Sequence, residues 1–223
     1  MKWLFLSLAL AVLPAYGEQQ GAELAPIALY TQFQQEPPAA VSGALRSTVE
    51  SIMAPIGLSF EWRHSGEIGG IYVSVELAVV TFKGSCNLKG VRPNRITSGP
   101  LGWTHISNDV ILPFAEIDCT AVRAFLDREL SYEGPERREF LFGRALGRVV
   151  AHELYHVFAN TKHHSAEGVA REIYSVRDLL TDNFRFEEKE SIALKNGPVH
   201  AALVTASQAP PPEESDNANH RQL

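Results

Sequence analysis

Apolar positions recur along this chain in two rhythms, and each change of rhythm marks an element. Residues 26–33 (PIALYTQF) are apolar and partly alternating, which predicts a strand. Past the Pro37-Pro38 break, Val41, Leu45, Val49, Ile52 and Met53 return at helical spacing, and Pro55 and Gly57 end that amphipathic helix. Residues 58–63 read as a short strand. Residues 71–82 (IYVSVELAVVTF), rich in β-branched and aromatic side chains, read as the strongest strand. The polar, Gly- and Pro-containing stretch 83–100 is then a long loop. Two strands, 101–106 and 110–117, flank Ser107-Asn108-Asp109, a tight connection. Residues 120–130 predict a helix. After Gly134-Pro135, residues 136–160 predict a long one, with Leu141, Ala145, Leu146, Val149, Val150, Leu154 and Val157 giving the broad apolar face of a helix packed under a sheet. One more short helix is expected around 173–180, and 205–223 carries almost nothing apolar and reads as a disordered tail.

The first residues break this pattern. Lys2 precedes an apolar run over 3–13, too short to span a bilayer, followed by Pro14 and the small-residue pattern Ala15-Tyr16-Gly17. That order reads as a signal peptide over 1–17, so the product is expected to be secreted, extracellular or periplasmic, with its domain over 18–204. In such an oxidising setting Cys86 and Cys119 could pair, the alternative being two buried thiols. No second stretch reaches membrane-spanning length, so no membrane partner is expected after signal removal. A composition of 45% hydrophobic residues over 223 positions supports one core of moderate size. The net charge of −6 offers no basic field for a phosphate backbone, which argues against a nucleic-acid partner.

Eight histidines stand against two cysteines, so a metal site here would rest on imidazole and carboxylate. Four of the eight fall between 152 and 164. The first two belong to His152-Glu153-Leu154-Tyr155-His156, inside the long helix. Histidines four apart share one helix face and can hold one ion, while the intervening glutamate can reach a water on it. A zinc ion with neutral ligands lowers the pKa of its water to about 7, and the carboxylate can take the proton as that water attacks a carbonyl. A catalytic site needs a third protein ligand. The candidates are His163, His164, Glu167 and Glu172, with His164 favoured and His163 the alternative.

In these residues the chain resembles the metzincin clan of zinc metallopeptidases, whose long motif is H-E-x-x-H-x-x-G-x-x-H. The turn position of that motif holds Ala159 here and the third-ligand position holds Lys162. Asn160 is the non-Gly residue best able to adopt a left-handed turn, which would bring in His163. His164-Ser165 resembles instead the His-Ser that closes the motif in matrixins. The resemblance implies an α/β (α+β) fold: a twisted mixed sheet of about five strands on a long helix and an HExxH active-site helix, with a reduced C-terminal part. It also implies that 101–106 is an antiparallel edge strand aligning a peptide by β-augmentation, and that loop 83–100 lies over the ion. His105 on that strand reads as an ordinary surface residue. Tyr174 reads as a half-buried structural residue, its alternative being a hydroxyl donor to the oxyanion. The clan's methionine turn is missing, since the two methionines are Met1 and Met53.

The resulting expectation is a secreted zinc metalloendopeptidase acting on peptide or protein substrates, with Zn²⁺ on His152, His156 and His164 and Glu153 as general base. The alternative is a catalytically inactive, zinc-stabilised peptide-binding module of the same fold.

Overall fold

The computed structural model describes residues 24–66, 74–89 and 99–209. The expected signal peptide and the tail past 209 lie outside the described residues. Strand β1 (Ile27–Phe33) leads into helix α1 (Ala39–Met53), whose Val41, Leu45, Val49 and Ile52 are all buried. A short 3-10 turn carrying Pro55 stops that helix, and Gly57 supplies the left-handed residue (φ 88°) that turns the chain back. Strands β2 (Phe60–His64) and β3 (Leu77–Lys83) follow, then β4 (Gly102–Ser107) and β5 (Val110–Asp118).

Together they form one five-stranded mixed sheet of order β2-β1-β3-β5-β4, with β4 the antiparallel edge strand. The β4–β5 hairpin turns on Asn108 (φ 48°) and Asp109 (φ 64°), the pair of left-handed residues that a two-residue hairpin loop demands. Thr104 pairs with Ala115 and Ile106 with Ile111, so three residues of β5 face the single His105. Pro113, which has no amide to donate, sits in that bulge.

The described part of β3 is shorter than the strand expected over 71–82. Pairing with β1 begins at Ala28 opposite Leu77, while residues 71–73 lie outside the described residues. A strand extends only as far as its partner offers a ladder, whatever the propensity of the residues before it.

Helix α2 (Cys119–Leu130) is capped by the Asp118 carboxylate, which accepts from the Ala121 amide at 2.9 Å. Its first residue, Cys119, forms a disulfide with Cys86, the two Cα atoms lying 4.9 Å apart. Helix α3 (Pro135–Phe158) starts on Pro135, whose missing amide costs nothing in the first turn. From Leu141 to His156 every residue of α3 is buried, so the expected one-sided apolar face is a helix enclosed all round. Gly143 and Gly147 let α1 pass against it: a Cβ on Gly147 would lie 2.7 Å from the Leu45 carbonyl. Residues of α1, α3 and the facing side of the sheet share one buried cluster that includes Leu29, Val80, Phe82, Leu45 and Leu146.

Beyond α3 come α4 (Val176–Leu180), α5 (Glu188–Lys195) and α6 (Pro198–Gln208). The short helix expected over 173–180 begins at Val176, because Ser175 and Asp178 form a reciprocal capping box there. Helices α5 and α6 were not expected. The tail expected from 205 is still helical through Gln208. Its Thr205 and Ser207 hydroxyls bond the carbonyls of Ala201 and Val204, so their polarity is absorbed by the helix itself. No helix among the described residues is long and apolar enough to cross a membrane.

Candidate metal centre

The end of α3 sets up the site. Asn160 adopts the left-handed conformation (φ 47°), and the amides of Asn160 and Thr161 bond the carbonyls of Val157 and His156 at 3.3 and 3.1 Å, a Schellman ending. This turn delivers the Thr161 carbonyl to His156, whose Nδ1 donates to it at 2.8 Å. Farther on, Ser165 bonds the Ala170 carbonyl through its amide, closing a small loop, and Val169 returns to the helix. His152 Nδ1 donates to the Val169 carbonyl at 2.8 Å.

A carbonyl only accepts, so both imidazoles carry their proton on Nδ1 and present a bare lone pair on Nε2. The two Nε2 atoms lie 3.1 Å apart, and with both protons committed elsewhere neither has a hydrogen to share. The third ring is His164. Its centroid stands 5.2 Å from that of His152 and 4.7 Å from that of His156. One ligand atom from each of the three lies within 4.8 Å of the others. Three imidazole ligand atoms gathered this closely form a donor set that repels itself and that a cation relieves. The residues fit a metal ion of the kind that imidazole favours, zinc among them.

The structure brings His164, and not His163, to the helical pair. The left-handed turn comes one residue later than in the metzincin motif, at Asn160, and the loop from it to the third histidine is one residue longer. His163 is exposed and outside the group. Glu167 is exposed, and Glu172 lines the adjoining cavity without joining the three histidines. His105 is elsewhere, 3.0 Å from Glu116 on the sheet.

Burial, with the neighbouring His156 and His164 adding to it against the Val169 carbonyl, pushes the pKa of His152 down to about 3. His156 is lowered for the same first reason. Both rings are therefore neutral at neutral pH, the state in which they can ligate.

Glu153 lies beside the histidines and is 5% exposed. Burial raises its pKa to about 7, against the pull of the Thr104 hydroxyl, which donates to Oε2 at 2.8 Å. Gly102, two residues earlier on the same face of β4, leaves room for the other oxygen: a Cβ there would stand 3.0 Å from Oε1. Neither contact was foreseen. The sequence places both residues on the edge strand, but nothing in it says which face meets α3.

Tyr174 stands behind His152, its hydroxyl 2.9 Å from Nδ1 and hydrogen-bonded to the Val169 carbonyl. It thus contacts the Nδ1 edge of His152 and also lines the cavity in front of the three histidines. A cavity of about 630 Å³ opens in front of the three histidines, with Leu101, Phe125, Val149 and Ile173 among its walls.

No family model matches the chain, and no curated protein matches it either. Among solved structures, one similar chain is a zinc-dependent peptidase from Methanocorpusculum labreanum (strain Z). It is 10% identical, with 75% of this chain and 99% of that chain covered at a TM-score of 0.48.

Proposed function

We propose that this protein is a secreted zinc metallopeptidase in which His152, His156 and His164 hold the ion and Glu153 is the general base. The observation that carries this reading is the gathering of three imidazole ligand atoms beside one buried carboxylate. Zinc in that position supplies Lewis acidity toward a carbonyl oxygen and makes a water acidic near neutral pH. The chain does the rest. The Val169 and Thr161 carbonyls orient the two helical histidines. Thr104 occupies Glu153 Oε2, leaving Oε1 to take a proton from the attacking water and hand it to the departing amine. The outer edge of β4 offers its backbone groups to an extended peptide, and the apolar cavity receives a side chain next to the bond to be cut. The Cys86–Cys119 disulfide supports passage through an oxidising compartment, in keeping with the signal sequence.

Purified mature protein should contain about one zinc per chain and should lose peptide cleavage in Glu153→Gln while keeping the metal. Zinc retained by a wild type that cuts no member of a peptide library would reject the enzyme and leave the peptide-binding module. A wild type that takes up no zinc would reject both.

A further inference from the structure

Arg144, Arg148, His152 and His156 lie four residues apart along α3, so they form one stripe, about 6 Å from step to step. Each binds a backbone carbonyl of the chain that returns after the helix. His156 takes Thr161, His152 takes Val169, Arg148 takes Asp178 and Thr181, and Arg144 takes Leu180 together with the Asp182 carboxylate. The return segment thus runs back along the helix, bound at every fourth residue. Two rungs of this ladder are the helical histidines of the metal centre and two are guanidiniums.

Arg148 is 3% exposed and, among the described residues, makes no ion pair within 4 Å, the nearby Asp182 carboxylate being bonded to Arg144 instead. A buried guanidinium held by carbonyls is a costly way to fill a core, and an apolar side chain of similar volume would pack there at less expense. The contacts on its far side show what the fork does. Its Cζ lies 4.6 Å over the ring of Phe184, Phe184 packs on Tyr174 at 5.7 Å between centroids, and the Tyr174 hydroxyl meets His152 Nδ1 and the Val169 carbonyl.

We propose that Arg148 is a positioning residue of the metal centre, acting through Phe184 and Tyr174 to hold the His152 ring so that Nε2 points at the ion. The proposal rests on the metal-centre reading above. Outer contacts around a ligating histidine typically change metal affinity ten- to a hundredfold; Tyr174 is such a contact, and Arg148 stands two residues behind the ligand, through Phe184 and Tyr174.

The test measures zinc affinity of the full chain by competition with a chromophoric chelator, together with the visible spectrum of the cobalt-substituted protein. The variants are Arg148→Met, Arg148→Lys, Tyr174→Phe, the Arg148→Met/Tyr174→Phe pair, and Val49→Ala, which opens a cavity in α1, a helix with no part in the hydrogen bonds of the ladder. Tyr174→Phe should weaken zinc binding about tenfold or more, Arg148→Met by a smaller factor of about three or more, and both should shift the cobalt spectrum. Lysine, which keeps the charge but not the fork, should recover only part. The double variant should lose no more than the worse single one, because both act on the same path. Val49→Ala should lower the melting temperature and leave the affinity unchanged.

Unchanged affinity in Arg148→Met, a loss in Val49→Ala as large as in Arg148→Met, or losses that add in the double variant would each overturn the proposal. Should Arg148→Met fail to fold, Arg148→Lys, Tyr174→Phe and their double variant decide it by the same criteria. A wild type that binds no zinc removes the metal centre itself, whereas wild-type binding that Arg148 does not influence removes this proposal alone.

Discussion

Thr104 donates its hydroxyl to Glu153 Oε2 at 2.8 Å, so the edge strand of the sheet and the histidine-bearing helix meet at the one buried carboxylate beside the three gathered histidines. The strand proposed to align a peptide therefore also holds the group proposed to move the proton. Thr104→Val keeps the shape and removes the donor. It should lower kcat for peptide hydrolysis on the order of tenfold to a hundredfold, with zinc content unchanged and most activity restored by Thr104→Ser. Steady-state kinetics on the three proteins decides this, and a full kcat in the valine variant contradicts it.

Gly102 makes the same junction possible from the other side. A Cβ there would lie 2.9 Å from Val149 Cγ1 and 3.0 Å from both Glu153 Oε1 and Ile117 Cδ1. Gly102→Ala should destabilise the fold by about 1–3 kcal/mol, the usual range for overpacking a filled interior. Urea unfolding measures the loss, and a variant as stable as the wild type would show that α3 and β4 separate easily.

The proposed third ligand is separable by substitution. His164→Ala should strip the zinc from the protein during dialysis, whereas His163→Ala should retain it, because only the ring of His164 joins the helical pair. Metal analysis of the two dialysed proteins is sufficient. Zinc kept by the first and lost by the second would transfer the role to His163.

The Cys86–Cys119 bond closes a loop across a sequence separation of 33 and ties the end of β3 to the start of α2. Removing it by Cys86→Ala/Cys119→Ala should cost about 3–4 kcal/mol on the chain-entropy account. Thermal or urea unfolding of the double variant against the oxidised wild type gives the figure, and equal stability would contradict the chain-entropy account.

Acid should loosen α4 through Asp178. Burial opposes ionisation there, but the amide and hydroxyl of Ser175 and the Arg171 guanidinium outweigh it and hold the carboxyl below its usual range. A group whose pKa is lowered by folding stabilises the fold above its unfolded value of about 3.9, and the contribution fades as the pH falls through the folded value. Asp178→Ala should accordingly be less stable than the wild type at neutral pH, with the difference narrowing below about pH 4. A difference that stays constant from pH 7 down to 3 would contradict the linkage.

The sequence by itself determined most elements up to the end of α3, though not α5 and α6, and the helical half of the site. Periodicity is local, so β1, α1, α2 and α3 could be read from the spacing of Leu, Val and Ile. Two histidines four apart on a helix share a face wherever the helix lies. Even the ending of α3 was legible, because Asn160 is a residue that tolerates the left-handed turn.

Tertiary structure decided what depends on chain segments meeting across distance. Which of two adjacent histidines completes the trio depends on the length of a loop after a turn. That Thr104 and Gly102 meet Glu153 depends on which face of β4 packs on α3, and a strand offers both faces equally in sequence. The four-residue spacing of Arg144 and Arg148 carried no signal in the sequence, because an arginine on a helix is ordinarily a solvent-facing residue. Only the return segment, laying its carbonyls along that face, turned the two charges inward and made them rungs of the ladder that carries the histidines.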